Sequence, residues 1–497
     1  MGKRTITAVV LIPAWTHEES HPTALRKLGA GFWPPLALMY LAGRLRADGH
    51  RAVIIDGGFY THEALIREVV SCNPELVGVY SNTVLWNNSR QTAKDLRALL
   101  PQAHITFGGP LPSVIKEEHL AECRAADSLV INEGEETLAD IANRLAEGET
   151  LEGVAGTVWR NGEDLVREAD RPYIEDLDSL PFPARDLINH ADYIPPIGLY
   201  TKRPLTTMLT SRGCHHKCIY CYKWGGDVIR FRDPVPVAEE MEIAVKQFGV
   251  KEIRFWDDTF TARKDRVLQL AEEVAKRKVK VDFSIATRAD CIDREVLKAL
   301  KQMGCYNIMI GVESGVPKNL KTLKKGETRE TIRKGVAMVH EAGIRTFLTS
   351  MFGVPGETYE DGLETIRFVK SLKGDASHFF TLSPFPGTEL YENLDKHGKV
   401  VPGDYSVLGM HTLCFAPHSL TFDEIESLRR KAFLTTTIIP SFIIKRILRL
   451  RSWEEVKILL RAGSTIFLAL VPQMMKSLVR GRKRNKSSEV EFGGKIS

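Results

Sequence analysis

The feature that most constrains the fold is the alternation of strand-like and helix-like segments along most of the chain. In the first 150 residues, strands are predicted at 6–12, 52–56, 76–80, 104–107 and 128–131. Helices are predicted between them at 35–48, 63–70, 87–100 and 135–146. Strands at this spacing are joined by right-handed crossovers in a parallel sheet. Residues 1–150 therefore predict a Rossmann-like, doubly wound parallel sheet.

A second β/α series follows a connector. Residues 151–204 form this connector, because their prolines favour extended or turn backbone. Residues 205–400 contain six predicted strands, at 205–210, 250–256, 281–286, 307–312, 345–352 and 378–382. Residues 401–497 are predicted to be helical, with helices at 422–436 and 442–460. The chain is thus predicted to be an α/β protein with two β/α domains and a helical C-terminal region.

Polar residues and glycines follow three strands of the first domain. These runs are Ser81-Asn82-Thr83, Gly108-Gly109-Pro110 and Asn132-Glu133-Gly134-Glu135. In such sheets the ligand lies at the carboxyl ends of the strands, and glycine there lets the backbone approach a bulky ligand. No G-x-G-x-x-G run follows the first strand, which disfavours a nicotinamide or flavin dinucleotide.

Three cysteines, Cys214, Cys218 and Cys221, lie within eight residues directly after the first strand of the second domain. Thiolates are preferred ligands of iron–sulfur clusters, and a cubane cluster normally takes four protein ligands. Three therefore indicate a cluster with one iron left open. Zinc is the rival interpretation, with His215 or His216 as fourth ligand, although structural zinc sites usually use two separated pairs. The odd count and the absence of a secretory signal argue against disulfides and favour a reducing cytoplasm.

The cysteine spacing, with Tyr220 just before the last cysteine, resembles that of the radical S-adenosylmethionine (SAM) superfamily. The six predicted β/α units are consistent with the partial (β/α)6 barrel of that superfamily. The resemblance implies a [4Fe-4S] cluster held by Cys214, Cys218 and Cys221. It implies that SAM binds the open iron and is cleaved by one electron to a 5'-deoxyadenosyl radical. It also implies an external electron donor such as flavodoxin or ferredoxin.

Two strand ends of the barrel supply candidates for binding the methionyl and ribose parts of SAM. Residues 308–313 are similar to the glycine-and-glutamate strand of the superfamily, which assigns Glu313 and Ser314 to the ribose or the methionyl amine. Arg288 suits the SAM carboxylate, because a guanidinium pairs well with that group. Surface ion pairs or helix caps are the alternative interpretation for Arg288 and Glu313.

The remaining SAM contacts are assigned to three loops. Tyr220 and the turn at 353–356 are candidates for flanking the adenine. Of Asp257 and Asp258, one is expected to approach the cofactor, for which Asp257 is assigned, and the other to cap the next helix. Trp224 either borders the site or packs beneath the cysteine loop.

The first domain resembles the cobalamin-binding domain that precedes many radical SAM barrels. This resemblance assigns six residues to cobalamin, namely Ser81, Thr83, Gly108, Gly109, Glu133 and Gly134. The chain lacks an Asp-x-His-x-x-Gly run, so no histidine of that kind is expected beneath the cobalt. A Rossmann-like domain that only packs is the alternative. Trp86 is either a corrin contact or a packed aromatic residue, and packing is favoured.

The positive charge is concentrated at the C-terminus. From residue 441 onward there are 13 lysine and arginine residues against four acidic ones, whereas the whole chain has a net charge of only +5. The body therefore lacks the basic character of a nucleic-acid-binding protein. Residues 443–450 predict a basic amphipathic helix, which either lies on a membrane surface or packs on the barrel, and packing is favoured.

Together these patterns favour a cobalamin-dependent radical SAM C-methyltransferase that acts on an unactivated carbon of a small-molecule or lipid substrate. A radical SAM cyclase or oxidative enzyme is the alternative in the same class. A non-catalytic iron–sulfur or cobalamin sensor is the alternative in another class. A methylthiotransferase is disfavoured, because the first domain has only Cys72 and Cys123. Tyr405 and His411 are candidates for facing the substrate.

Overall fold

The computed structural model describes residues 4–15, 32–196, 198–409 and 412–436, with residues 450, 453, 455–457 and 460. His411, the basic tail and most of the predicted helix at 442–460 lie outside the described residues. Within the described ranges, no helix is long and apolar enough to cross a membrane. A peripheral membrane contact of the C-terminal region therefore stays a prediction.

A seven-stranded sheet forms the first part of the chain. Its elements are β1 (Thr7–Ile12), α1 (Leu36–Ala47), β2 (Arg51–Asp56), α2 (His62–Ser71), β3 (Leu76–Tyr80), α3 (Trp86–Leu99), β4 (His104–Gly108), α4 (Pro110–Ala121), β5 (Ser128–Val130), α5 (Glu135–Glu147), β6 (Thr157–Asn161) and β7 (Asp164–Arg167). The strand order is β2-β1-β3-β4-β5-β6-β7. Strands β1 to β5 pair in parallel, which confirms the predicted doubly wound sheet.

The apolar run of β1 shows why this sheet is buried on both faces. Val9 and Leu11 belong to the core on one face, whereas Ala8 and Val10 belong to the core on the other. Side chains alternate along a strand, so a strand covered by helices on both sides needs a continuous apolar run. This pattern made the parallel strands predictable.

The antiparallel edge of the first sheet was not predicted. Strand β6 pairs antiparallel with β5, and β7 pairs antiparallel with β6. Residues 157–167 thus belong to the sheet, although the sequence analysis placed them in the connector. Strand β7 has only four residues, two of them charged, and so short a pattern does not mark a strand.

A second, six-stranded sheet carries the cysteine loop. Its elements are β8 (Leu205–Met208), β9 (Ser211–Arg212), β10 (Arg230–Phe231), α6 (Pro234–Phe248), β11 (Glu252–Phe255), α7 (Lys264–Lys276), β12 (Asp282–Thr287), α8 (Arg294–Met303), β13 (Cys305–Glu313), α9 (Pro317–Thr322), α10 (Arg329–Glu341), β14 (Arg345–Phe352), α11 (Tyr359–Ser371) and β15 (Ala376–Thr381). The strand order is β15-β14-β13-β12-β11-β8, and all pairings are parallel. The six predicted β/α units of a partial barrel are confirmed.

The first barrel strand is shorter than predicted. Strand β8 ends at Met208, and β9 leaves the barrel sheet to pair antiparallel with β10. Asp257, just beyond the end of β11, accepts hydrogen bonds from the amide of Thr210 (3.1 Å) and from its hydroxyl (2.5 Å). The bond to the Thr210 amide satisfies a backbone group that a longer β8 would have paired with the neighbouring strand.

The described C-terminal part closes over the junction of the two sheets. It contains α12 (Glu389–Glu392), α13 (Leu394–His397), β16 (Gly398–Val400), β17 (Phe415–Pro417) and α14 (Phe422–Thr436). The predicted helix at 422–436 is confirmed by α14, while β16 and β17 form an antiparallel pair that the helical prediction did not include. The hydroxyl of Thr83 donates to the carbonyl of Leu408 (2.9 Å), which joins this part to the first domain.

Candidate active site

The three cysteines lie on the loop between β9 and β10, just past the carboxyl end of β8. The amide of Cys214 donates to the carbonyl of Gly226 (3.1 Å), and the amide of Cys221 donates to the carbonyl of Cys218 (3.2 Å). None of the three thiols forms a disulfide. The loop is therefore closed by its own backbone, and its thiols stay available as ligands.

The surroundings of the thiols suit a positively charged metal group. Burial, and after it the nearby Asp258, Cys218 and Cys214 groups, raise the pKa of Cys221 to about 12. The three thiols are thus near enough to affect one another, and a bound metal would supply the positive charge that thiolates need. In the part of the chain that the structure describes, no three His, Cys, Asp or Glu side chains are gathered at metal-binding distances. The fit of these cysteines to an iron–sulfur cluster therefore rests on the chemistry of the thiol donors and on their position in one loop.

A buried charged group borders the cysteine loop. The Lys325 Nζ atom lies 3.4 Å from a carboxylate oxygen of Glu313 and 3.3 Å from one of Glu327. Burial raises the pKa of the Cys218 thiol, whereas the charge of Lys325 lowers it, so this lysine lies near the sulfur. Burial and then the Glu313 carboxylate hold the pKa of Tyr220 well above its usual value. Glu313 and Tyr220, both assigned to SAM, are thus brought to the same side of the loop.

Arg288 also lies beside the cysteine loop, but its guanidinium already has partners. It donates to both carboxylate oxygens of Asp290 (2.9 and 2.7 Å) and to the carbonyl of Lys325 (2.8 Å). An ion pair is therefore present, but Arg288 is only 6% exposed, so it is not the surface pair of the alternative interpretation. A role for Arg288 toward the SAM carboxylate stays a prediction, and it would require the guanidinium to share its donors between Asp290 and SAM.

Two residues assigned to SAM are buried and hydrogen-bonded within the protein. The Ser314 side chain is fully buried, lies 3.1 Å from the Thr365 hydroxyl and accepts a hydrogen bond from the Val316 amide (3.2 Å). Asp257 is buried and holds Thr210, as described above. Each side chain satisfies polar groups at the start of a loop, and the assignment of both residues to SAM stays a prediction.

A cavity of about 630 Å³ lies between the carboxyl ends of the first sheet and the cysteine loop. The first domain contributes Gly108, Gly109, Glu133 and Gly134 to its wall, and the second contributes Tyr222, Trp224, Trp256 and Asp258. A Cβ atom added to Gly108 would meet nothing within 4 Å. Gly109 has a φ of +113°, and a Cβ there would lie 2.5 Å from the Ser81 carbonyl oxygen. These glycines leave the floor of the cavity open for a large flat ligand, which fits a corrin.

Four of the six residues assigned to cobalamin therefore line this cavity, and two do not. Ser81 is fully buried, and its amide donates to the carbonyl of Gly108 (2.7 Å). Thr83 is committed to Leu408. Thr83 therefore holds the turn after β3 in place, whereas the buried Ser81 hydroxyl has no hydrogen-bond partner among the described residues. The assignment of both residues to cobalamin stays a prediction. The described wall contains no histidine, and the absence of a histidine beneath the cobalt stays a prediction.

The weaker aromatic candidates are part of the core. Trp86 is buried, with its ring centroid 4.4 Å from that of His119 and 5.4 Å from that of Tyr405. The packing interpretation of Trp86 is thereby confirmed. The hydroxyl of Tyr405 donates to Glu118 (3.0 Å) and does not face a substrate site. Trp224 is 36% exposed and lines the cavity.

The sequence analysis missed a buried ion-pair network that joins the two domains at the cavity wall. Arg212, two residues before the first cysteine, donates to Glu133 (2.9 Å) and Glu135 (2.6 Å). Arg230 donates to the other oxygen of Glu133 (2.8 Å). All four side chains are largely buried. An arginine adjacent to the cysteine loop and a Glu-Gly-Glu run were visible in the sequence, but only the fold brings them together.

Comparison with known proteins agrees with this architecture. Residues 208–369 match the radical SAM superfamily, and residues 23–142 match the B12-binding domain. The chain is a radical SAM enzyme with an N-terminal B12-binding domain. The two matched regions of this radical SAM enzyme cover most of the barrel and most of the parallel part of the first sheet.

Two sequence relatives and one solved structure extend the comparison. An uncharacterised methyltransferase of Pyrococcus horikoshii is 28% identical over 86% of this chain and 92% of its own. An anaerobic magnesium-protoporphyrin IX monomethyl ester cyclase of Cereibacter sphaeroides is 28% identical over 80% of this chain and 66% of its own. The radical SAM methyltransferase TsrM of Kitasatospora setae, solved with cobalamin and a [4Fe-4S] cluster, is 20% identical. It superposes with a TM-score of 0.67 over 86% of this chain and 85% of its own, which shows a shared fold.

Proposed function

We propose that this radical SAM enzyme is a cobalamin-dependent C-methyltransferase that acts on an unactivated carbon of a small-molecule or lipid substrate. The observation that carries the proposal is the shared cavity. Its wall is built by Gly108 and Gly109 of the B12-binding domain and by Tyr222 and Trp224 of the cysteine loop. Two cofactors bound at these places would face the same space, so one substrate carbon could reach both.

The residues divide into two groups in this proposal. Cys214, Cys218 and Cys221 would hold a [4Fe-4S] cluster, and Glu313 with Tyr220 would position SAM beside it. Gly108, Gly109, Glu133 and Gly134 would form the seat of cobalamin. When bound, the cluster and SAM supply a radical that abstracts a hydrogen atom, and cobalamin supplies a methyl group. The protein's own contribution is to hold both in a cavity whose lining is mostly apolar.

Methyl transfer is preferred over ring closure, although the names of the relatives include both reactions. The Pyrococcus relative, which is matched over nearly all of its length, is named a methyltransferase. The cyclase relatives support the alternative function, a radical SAM cyclase or oxidative enzyme. The proposal also includes an external donor such as flavodoxin or ferredoxin, a cytoplasmic location and peripheral membrane contact through the C-terminal region.

The role of the cysteine loop is tested by replacing Cys214, Cys218 and Cys221 together with alanine. After anaerobic reconstitution and reduction with SAM, the variant should lose the brown chromophore and nearly all 5'-deoxyadenosine formation. The reason is that the loop offers the cluster no other thiolate ligands. The control is Cys72→Ala, which removes a thiol of the first domain and should behave as the wild type. Retained 5'-deoxyadenosine in the triple variant would refute the proposal, and a wild type that never forms it would favour the sensor.

The reaction type is tested by the mass of the product. Incubation with substrate candidates and methyl-labelled SAM should give a product heavier by one labelled methylene unit. A product that has lost hydrogen and carries no label would establish the cyclase or oxidative alternative.

A further inference from the structure

Arg254 is a buried arginine inside the barrel. Its neighbours Ile253 and Phe255 belong to the apolar core between sheet and helices. Because side chains alternate along a strand, Arg254 of β11 points to the opposite face, which is the barrel interior. The side chain is only 4% exposed. A charged residue at this depth needs a partner, since barrel interiors are otherwise filled by apolar side chains.

The contacts of this guanidinium within the protein are weak. Its donors reach the Ser284 hydroxyl at 3.3 Å, the Ile285 carbonyl at 3.5 Å and the Met309 sulfur at 3.7 Å. Its Nε atom has no hydrogen-bond partner. Among the ion pairs of the described chain none includes Arg254, in contrast to the buried Arg212 with its two carboxylates. Good hydrogen bonds to a guanidinium are shorter, near 2.7–2.9 Å, so most of its donor capacity is unused.

The acidic residue of the same face does not neutralise this charge. Glu252 lies two residues earlier on β11 and accepts hydrogen bonds from Tyr306 (2.6 Å) and from the amides of Thr201 (2.7 Å) and Lys202 (2.8 Å). Burial raises the pKa of Glu252 to about 7. This carboxyl group is thus engaged at the amino end of the barrel, away from the mouth.

The barrel interior between Arg254 and the mouth is not closed. Met309, Gly311 and Phe347 face the interior from β13 and β14, and each is partly exposed although it lies within the sheet. Closer to the mouth, Trp256 lies over the guanidinium, with 5.0 Å between its ring centroid and the Arg254 Cζ atom. Trp256 is 40% exposed and lines the cavity that the two domains share. The guanidinium therefore lies directly beneath a wall residue of that cavity, and the barrel interior beside it is called the lumen here.

We infer that this lumen binds the substrate and that Arg254 binds an oxyanion of it, either a carboxylate or a phosphonate or phosphate group. The planar guanidinium presents paired donors that match both kinds of oxyanion. The apolar body of the substrate would then extend past Met309 and Trp256 into the shared cavity. The inference rests on the proposed function, because it assigns the substrate of the same reaction to a chemical class, a small apolar molecule with one anionic end.

Anion binding is tested with probes that differ in a single group. Cluster-loaded full-length protein is titrated calorimetrically, under anaerobic conditions, with 3-phenylpropionate, 2-phenylethylphosphonate and the neutral 3-phenylpropionamide. At least one anion should bind ten-fold or more tightly than the amide. Arg254→Met should abolish this preference and leave the amide affinity unchanged. The matched control is Arg294→Met, which removes a 76%-exposed arginine of α8 and should keep the preference.

Each alternative result counts against the inference. Anions that bind no better than the amide to the wild type would overturn it, and so would an Arg254→Met protein that keeps the preference. If Arg254→Met does not fold, Arg254→Gln replaces it, and retained anion preference in that variant would have the same meaning. SAM cleavage is measured in the same preparations. Intact cleavage without anion preference refutes this inference alone, whereas a wild type without cleavage refutes the proposed function.

Discussion

Gly213 determines the geometry of the cysteine loop at its first residue. Its φ of +96° lies in a region that side chains rarely adopt. A Cβ atom there would lie 2.2 Å from the Val228 carbonyl oxygen and 2.8 Å from that of Gly225. Both obstacles are backbone atoms, which cannot rotate away as a side chain can. The position therefore requires glycine for two independent reasons.

Gly213→Ala should displace the loop and reduce the cluster content by at least half, because the backbone on both sides of the loop must move. Gly249→Ala is the matched control, since Gly249 has a φ of +63° but no atom within 4 Å of the added Cβ. That control should lose only about 1 kcal/mol of stability from backbone strain and keep its cluster. Iron and sulfide content and thermal melting provide the comparison. Equal cluster content in the two variants would show that contact of the added Cβ with the Val228 and Gly225 carbonyls does not disturb the loop.

At the scale of elements, the amino end of β11 is hydrogen-bonded to Thr201 and Lys202, which precede the first barrel strand. Glu252 accepts hydrogen bonds from Thr201, Lys202 and Tyr306, and it is 1% exposed. Burial raises its pKa from 4.5 to about 7, while these hydrogen bonds act in the opposite direction. Between those two pH values the folded protein holds a proton that the unfolded chain releases. Stability attributable to Glu252 should therefore decrease as the pH rises from 4.5 to 7 and be constant above that.

Glu252→Gln should make thermal stability less dependent on pH. The neutral amide cannot ionise, so the decrease in melting temperature between pH 5 and pH 8 should be smaller by a few degrees than in the wild type. Glu242→Gln is the control, because that residue lies on α6 at the protein surface and pairs with Lys246. Melting curves at pH 5, 6, 7 and 8 give the measurement. A Glu252→Gln profile parallel to that of the wild type would contradict the raised pKa.

At the scale of the whole molecule, the network of Arg212, Arg230, Glu133 and Glu135 fixes the B12-binding domain against the cysteine loop. Hydrogen bonds from the two arginines lower the pKa of Glu133, although burial acts to raise it, so this carboxylate stays ionised. A buried ion pair contributes little net stability, but removal of one partner leaves a buried charge uncompensated. The network is therefore sensitive to single substitutions.

Arg212→Met should loosen the B12-binding domain from the cysteine loop. We expect a loss of about 3–5 kcal/mol of stability, as for other broken buried pairs. We also expect several-fold less retained corrin and a higher ratio of 5'-deoxyadenosine to methylated product. Arg167→Met is the control, because Arg167 pairs with Asp170 at the surface and should matter little. Corrin absorbance and product ratios are measured together. A stable Arg212→Met protein with the wild-type ratio would show that the network does not align the domains.

The sequence by itself determined the order of the elements and the residues proposed to supply thiolate ligands. Parallel strands buried on both faces leave continuous apolar runs, and ligand chemistry belongs to the side chain itself, so Cys214, Cys218 and Cys221 could be identified without a fold. The sequence also pointed to Gly108 and Gly109, which line the shared cavity, because glycines at a strand end let the backbone approach a ligand.

Only the tertiary structure decided which way the polar side chains face. Thr83, Ser314 and Asp257 lie at the predicted strand ends, yet each side chain bonds to a neighbouring loop, because a buried polar group bonds to what the fold places beside it. The buried Ser81 hydroxyl has no such partner among the described residues. The Arg212 network and the unpaired Arg254 depend in the same way on contacts between distant parts of the chain. Such contacts leave no periodic pattern in the sequence, since they are set by how the two sheets meet.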